Sequence, residues 1–139
     1  METLKKTVYL IILAFITFLP ARRLVAQDYS SLQPAFSTSY TQETAGDYSN
    51  AIATLKKVYD DSSYEVNARL GWLNYMAGQF TESTTYYSKA ATLMPYSIEA
   101  RLGYALPASA MGNWDQVVNK YLEILKIDRY FVFSKKSVH

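Results

Sequence analysis

Two hydrophobic patterns run along this chain. Near the start, Lys5-Lys6 precedes an apolar run from Thr7 to Leu19, closed by Pro20 and then by Arg22-Arg23. From about residue 33 onward the apolar positions recur at helical spacing. The clearest case is Trp114 to Ile127, which carries Val117, Val118, Tyr121, Leu122, Ile124, Leu125 and Ile127. Glycines at 46, 78 and 112 interrupt the pattern. The expected elements are helix pairs 33–45 with 47–60, 64–77 with 80–93, and 97–111 with 114–127. Ser63 and Ser97 are the expected N-caps, because a serine hydroxyl accepts from the free N–H groups of a first turn. The fold class is therefore all-α.

The first segment has the layout of an export signal: a basic start, an apolar centre and a helix-breaking proline. Its uncharged stretch, Thr7 to Ala21, is shorter than the ~20 residues that span a bilayer. Leu24-Val25-Ala26 supplies small residues before Gln27, so residues 1–26 are expected to be a signal-peptide helix cleaved after Ala26. Arg22 and Arg23 keep an uncleaved signal-anchor open as the alternative, the only route to membrane contact. The expected location is periplasmic or secreted. Residues 27–32 read as a leader, with Pro34 suited to a first helical turn.

The remainder repeats itself. Ala45-Gly46-Asp47-Tyr48 returns as Ala77-Gly78-Gln79-Phe80 and as Met111-Gly112-Asn113-Trp114. Upstream, Ala68-Arg69-Leu70-Gly71 returns 32 residues later as Ala100-Arg101-Leu102-Gly103. The turn glycines fit a left-handed residue closing a helix. Gly71 and Gly103 fall in mid-helix, where glycine costs about 1 kcal/mol against alanine. That cost makes sense only where another element approaches too closely for a side chain.

These residues resemble the tetratricopeptide repeat, a two-helix unit. The second copy places Leu70, Gly71, Gly78, Phe80, Tyr87, Ala90 and Pro95 on the family's Leu, Gly, Gly, aromatic, aromatic, Ala and Pro positions, departing from the pattern at Asn74 and Ser83. The first keeps Gly46, Tyr48 and Ala51; the third keeps Leu102, Gly103, Gly112, Trp114 and Tyr121, with Arg129 where the closing Pro would stand. In this alignment the third copy carries two extra residues near Pro107, where a bend or bulge is expected. The resemblance covers about residues 33–129. It implies a right-handed α–α superhelix of three hairpins (33–63, 64–95 and 96–129), followed by an irregular basic and aromatic tail over 130–139.

The resemblance also implies a function: a protein-interaction scaffold, not an enzyme and without a cofactor, that takes an extended peptide or a partner helix in the concave groove formed by its first helices. Alignment in 32-residue steps puts Tyr40, Trp72 and Tyr104 in one groove column and Ser37, Arg69 and Arg101 in the next. Tyr75 and Met76 lie one turn on from Trp72. The expected partner-binding residues are thus Tyr40, Arg69, Trp72, Tyr75, Met76, Arg101 and Tyr104. Aromatic rings and arginines are frequent hot-spot residues, although the same rings could be core between repeats and the arginines a solvated edge. The Lys-Asn-Arg carboxylate clamp of some family members is not matched, since only Arg101 falls on one of its positions.

Composition narrows the chemistry. The chain has no cysteine, and its single histidine is the terminal His139, so thiol, zinc and most triad mechanisms lack their residues. Only a carboxylate pair such as Glu65 with Glu99 could serve catalysis. Residues 1–26 carry a net charge of +3, leaving −1 for the rest, which gives no electrostatic footprint for nucleic acid. Stacking of a small or glycan-like ligand on Trp72, Tyr75 and Tyr104 is the alternative to a protein partner. The apolar last helix lacks the covering helix that usually ends such arrays. The tail folds back on it, or the end self-associates or binds a partner, or the chain is a truncated form of a longer array.

Overall fold

A computed structural model describes residues 29–136, with side chains placed through Arg129. The expected signal peptide and its cleavage site lie outside the described residues. Six helices follow one another: α1 (Tyr29–Thr44), α2 (Tyr48–Lys56), α3 (Tyr64–Met76), α4 (Phe80–Leu93), α5 (Ile98–Ala110) and α6 (Trp114–Lys136). There is no strand among the described residues. α1 begins a turn earlier than expected and places Pro34 inside the helix. This costs the one backbone bond that proline cannot donate.

The helices pair as α1 with α2, α3 with α4 and α5 with α6, and each hairpin leans on the next through α2–α3, α4–α5 and α3–α5 contacts. The sequence builds each hairpin in the same way. Gly46, Gly78 and Gly112 all have φ near +74°, a conformation that side chains disfavour. After each glycine the chain bonds back across the turn, as in Asp47 N–H to Gln42 O (2.8 Å), Gln79 N–H to Asn74 O (2.8 Å) and Asn113 N–H to Ala108 O (2.9 Å). These bonds satisfy carbonyls that a helix C-terminus leaves free. Ser63 Oγ accepts from Val66 N–H at 3.3 Å, and Ser97 Oγ from Ala100 N–H at 3.0 Å, so both expected caps form.

The core begins between the first two hairpins, with Ala35, Ala51, Ile52, Leu55, Val66, Leu70 and Leu73 buried together. It continues through one ring. Tyr87, only 5% exposed, lies between α3 and α5 where both present glycine. A Cβ on Gly71 would sit 2.8 Å from its Cδ2, and one on Gly103 would sit 2.1 Å from its Cε1. Close approach thus explains both mid-helix glycines. Ser83, at a position the family gives to alanine, donates its hydroxyl to Gly71 O at 2.7 Å, so it is buried without loss.

The third hairpin holds no insertion. Ser63 to Gly78 and Ser97 to Gly112 span the same length, and α3 and α5 both have 13 residues. The true step between these hairpins is therefore 34 residues, and the 32-residue Ala-Arg-Leu-Gly echo is out of register. Burial separates the two alignments: Leu70 is 0% exposed and Leu102 is 42% exposed. At the longer step Val66 and Ala100, Gly71 and Ala105, Leu73 and Pro107, and Asn74 and Ala108 are buried alike. α5 runs from Ile98 to Ala110 without the expected bulge, and Pro107 sits inside it in the buried place of Leu73.

The end also differs from expectation. α4 stops at Leu93, and Met94, before Pro95, leaves the helical region with φ −124° and ψ 86°, as residues before proline favour. Arg129 occupies the counterpart of Pro95, so nothing stops the helix. Residues 130–136, expected to be irregular, extend α6 to Lys136.

Candidate functional site

α1, α3 and α5 all contribute side chains to one recess, and six of the seven expected residues divide among three settings, with Met76 in none of them. The first is a polar knot joining α1 to α3. Arg69 Nη2 lies 2.6 Å from Glu43 Oε2, with the arginine side chain 7% exposed. Its Nε donates to Ser39 Oγ at 3.3 Å, and its guanidinium stacks 3.8 Å from the centre of the Tyr40 ring. Trp72 Nε1 donates to the other carboxylate oxygen of Glu43. A buried arginine must be paired to offset its lost hydration, and here Glu43 is the partner. Tyr40, Arg69 and Trp72, with Phe36, Tyr64, Glu65, Ala68, Tyr87 and Glu99, line a recess of about 300 Å³.

The second setting faces α6 rather than the groove. Arg101 Nε pairs with Glu123 Oε2 at 2.9 Å, and its Nη1 donates to Ser97 O at 2.9 Å. Lys120 Nζ reaches Glu123 Oε1 at 2.8 Å and lies 5.1 Å from the centre of the Tyr104 ring. Tyr104 donates to Gln116 Oε1 at 2.7 Å. Burial works to raise the Glu123 carboxyl, but the hydrogen bonds and charges of Lys120 and Arg101 outweigh it and hold the group below its ordinary value. The register explains both displacements. Counting back from the turn glycines, Tyr40 and Trp72 match Leu106, whereas Tyr104 matches the core residue Leu70 and Arg101 matches Asn67.

The third setting is a groove of about 1060 Å³. α3 contributes Trp72 and Tyr75; α5 contributes Ile98, Glu99, Leu102, Leu106, Ser109 and Ala110; α6 contributes Trp114, Val117 and Tyr121. Trp72 and Tyr75 stand with ring centres 6.0 Å apart, and Tyr75 and Phe80 continue the row at 5.9 Å. Met76 is partly exposed but does not line the groove. Leu102, Leu106, Trp114, Val117 and Tyr121 escaped the sequence reading. A count of six and ten residues back from each turn glycine would have found both leucines.

The groove lies beside α6, the last of the described helices. Tyr87, in α4, is covered by α5, but its counterpart Tyr121, in α6, is 50% exposed. The lining is mostly apolar, and its one ionisable carboxylate, Glu99, accepts from Tyr64 O–H at 3.1 Å. Glu65 and Glu99 share the smaller recess. No cluster of metal-binding side chains occurs among the described residues.

Stacked hairpins, shared turn geometry and an inner wall built from first helices define an all-helical, tetratricopeptide-type repeat solenoid. Comparison with solved structures agrees. A crystal structure of MamA matches with a TM-score of 0.63 at 24% identity, covering 72% of this chain and 60% of that one. MamA AMB-1 matches with a TM-score of 0.61 at 22% identity, covering 68% and 57%, and a mutant of MamA gives 0.60 at 22%, covering 68% and 53%. The chain thus spans about three-fifths of the length of the MamA chains, and at these identities the likeness establishes the fold alone. No protein-family model matches the sequence, and no curated protein matches it.

Proposed function

We propose that this protein is a non-enzymatic interaction scaffold that holds a partner polypeptide in the groove between α3, α5 and α6. The observation that carries the reading is the groove itself, which gathers exposed apolar side chains from three helices around both tryptophans of the chain. The occupant it suits best is the apolar face of a helix, seated on α5 and α6 as α5 is seated on α3 and α4, with leucine and aromatic anchors one turn apart. Arg69 and Arg101 are committed to Glu43 and Glu123, so recognition rests on apolar fit rather than on an arginine contact. The N-terminal basic and apolar segment supports export to the periplasm or the exterior, with mature protein beginning at Gln27. Self-association through the open C-terminal hairpin belongs to the same proposal.

The test is selection of peptides from a displayed library on the full chain, followed by titration. Both tryptophans face the groove, so intrinsic fluorescence reports its occupancy. Leu106→Glu places a charge on the partly exposed wall with little effect on folding, and peptide affinity should fall at least ~10-fold. Selected peptides that bind Leu106→Glu and Tyr75→Ala as well as the parent would overturn the groove assignment.

A further inference from the structure

α6 carries more apolar surface than the groove uses. Trp114, Val118, Tyr121, Leu122 and Leu125 are each about half exposed or more. They recur at steps of four, three, one and three residues, which places them along one stripe of a helix. The buried Ile127 and half-buried Lys120 and Glu123 mark the opposite side, turned to the body of the array. Val118, Leu122 and Leu125 do not line the groove. α6 also runs straight past the point where α4 ends, so no described segment turns back to cover the stripe.

Three observations identify what covers it. The first is the asymmetry of the ends: the outer positions of α1, including Ser30, Ser31, Gln33, Ser37, Thr38 and Thr41, are exposed and polar. A head-to-tail contact would set that polar face on the apolar stripe, whereas tail-to-tail contact covers apolar with apolar and closes after two copies. The second is charge. Asp115 lies on the same flank of the stripe as Lys126 and Arg129, eleven and fourteen residues on, and all three are exposed without an ion-pair partner among the described residues. When two identical helices pair antiparallel, like flanks meet, which brings Asp115 of each copy to Lys126 and Arg129 of the other. The third is area: with aromatic side chains of 150–250 Å² each, the five exposed residues offer roughly 500 Å² per copy, short of the ~800 Å² of a standard stable interface. A reversible dimer follows rather than an obligate one.

We propose that two copies of this chain pair antiparallel through α6, about a dyad between Tyr121 and Leu122. Val118 then packs on Leu125 of the second copy, Leu122 meets its own equivalent, and Trp114 faces Arg129. The inference rests on the self-association reading; Trp114 and Tyr121 belong to both surfaces, so pairing through α6 and peptide binding in the groove compete.

The absence of cysteine permits a clean cross-linking test on the full chain. Leu122→Cys should oxidise to a covalent dimer. Val118→Cys and Leu125→Cys should cross-link poorly alone and readily when mixed, because each residue lies about 10 Å along the axis from its own equivalent at 1.5 Å per residue. Sedimentation of the parent at high micromolar concentration should show a monomer–dimer equilibrium, weakened at least ~10-fold by Leu125→Glu. Circular dichroism should be unchanged in that variant, and selected peptides should bind its groove at least as tightly as they bind the parent's. A parent that stays monomeric overturns the proposal. So does self-cross-linking at Val118 or Leu125 as fast as at Leu122, or a dimer indifferent to Leu125→Glu. Loss of peptide binding with dimerisation intact would sink the groove reading and leave this one standing.

Discussion

Gly103→Ala isolates the contact that joins the second hairpin to the third. In an unobstructed helix the change would stabilise by about 1 kcal/mol. Here the new Cβ would stand 2.1, 2.4 and 2.6 Å from Cε1, Cζ and Cδ1 of Tyr87. The ring cannot retreat, because Gly71 already holds its other side and the residue is 5% exposed. Forcing a methyl into a packed site costs typically 1–3 kcal/mol; contacts as short as these put the cost at about 2–3 kcal/mol, which leaves a net loss of about 1–2 kcal/mol after the helix gain. For a domain of this size that lowers the melting temperature by roughly 5–10 °C. Urea denaturation followed by circular dichroism measures the loss. The same substitution in a Tyr87→Leu background supplies the control, since Leu55 fills the matching place in the first hairpin. There Gly103→Ala should be neutral or stabilising, giving a coupling of about 1–3 kcal/mol. A single variant as stable as the parent, or more so, would refute the account of how these hairpins pack.

Other expectations follow from the polar contacts. Glu43→Gln leaves the buried Arg69 guanidinium without its counter-charge and should cost about 2–4 kcal/mol, read from the same denaturation curves. Gly78→Ala meets no steric obstacle, but its φ of +74° should make it about 1 kcal/mol less stable than the parent. Glu123 titrates below its ordinary value of 4.5, so its contribution to stability is present above that value and lost as pH falls through the folded-state titration. Glu123→Gln should therefore lower the urea midpoint at neutral pH and narrow the gap to the parent under more acid conditions. An equal gap at both would contradict the Arg101–Glu123–Lys120 assignment.

Much of the fold was legible because its signals are local. Turn glycines, serine caps and helical periodicity each act over a few residues, and all three hairpins carry them. Register between the second and third hairpins was misread. Four identical residues, Ala-Arg-Leu-Gly, outweighed the cap-to-turn spacing that sets how a helix faces its neighbours. A two-residue slip turns a helix by about 200°, which is why Tyr104 and Arg101 face α6 instead of the groove. Arg69 pairs with Glu43 of α1, and its burial depends on that carboxylate arriving from another helix, which no local pattern encodes. The loss of proline at residue 129 was visible; its consequence, a helix continuing to Lys136, follows from removing a stop signal.

Occupancy of the groove between α3, α5 and α6 by a polypeptide can be read residue by residue. The most direct measurement is the backbone amide spectrum of the full chain, isotope-labelled and titrated with a selected peptide. The largest shifts should fall on Trp72, Tyr75, Leu102, Leu106, Trp114, Val117 and Tyr121, together with both indole N–H signals. Shifts concentrated on the opposite side of the array, around Thr84, Thr85, Ser88 and Thr92 of α4, would contradict it.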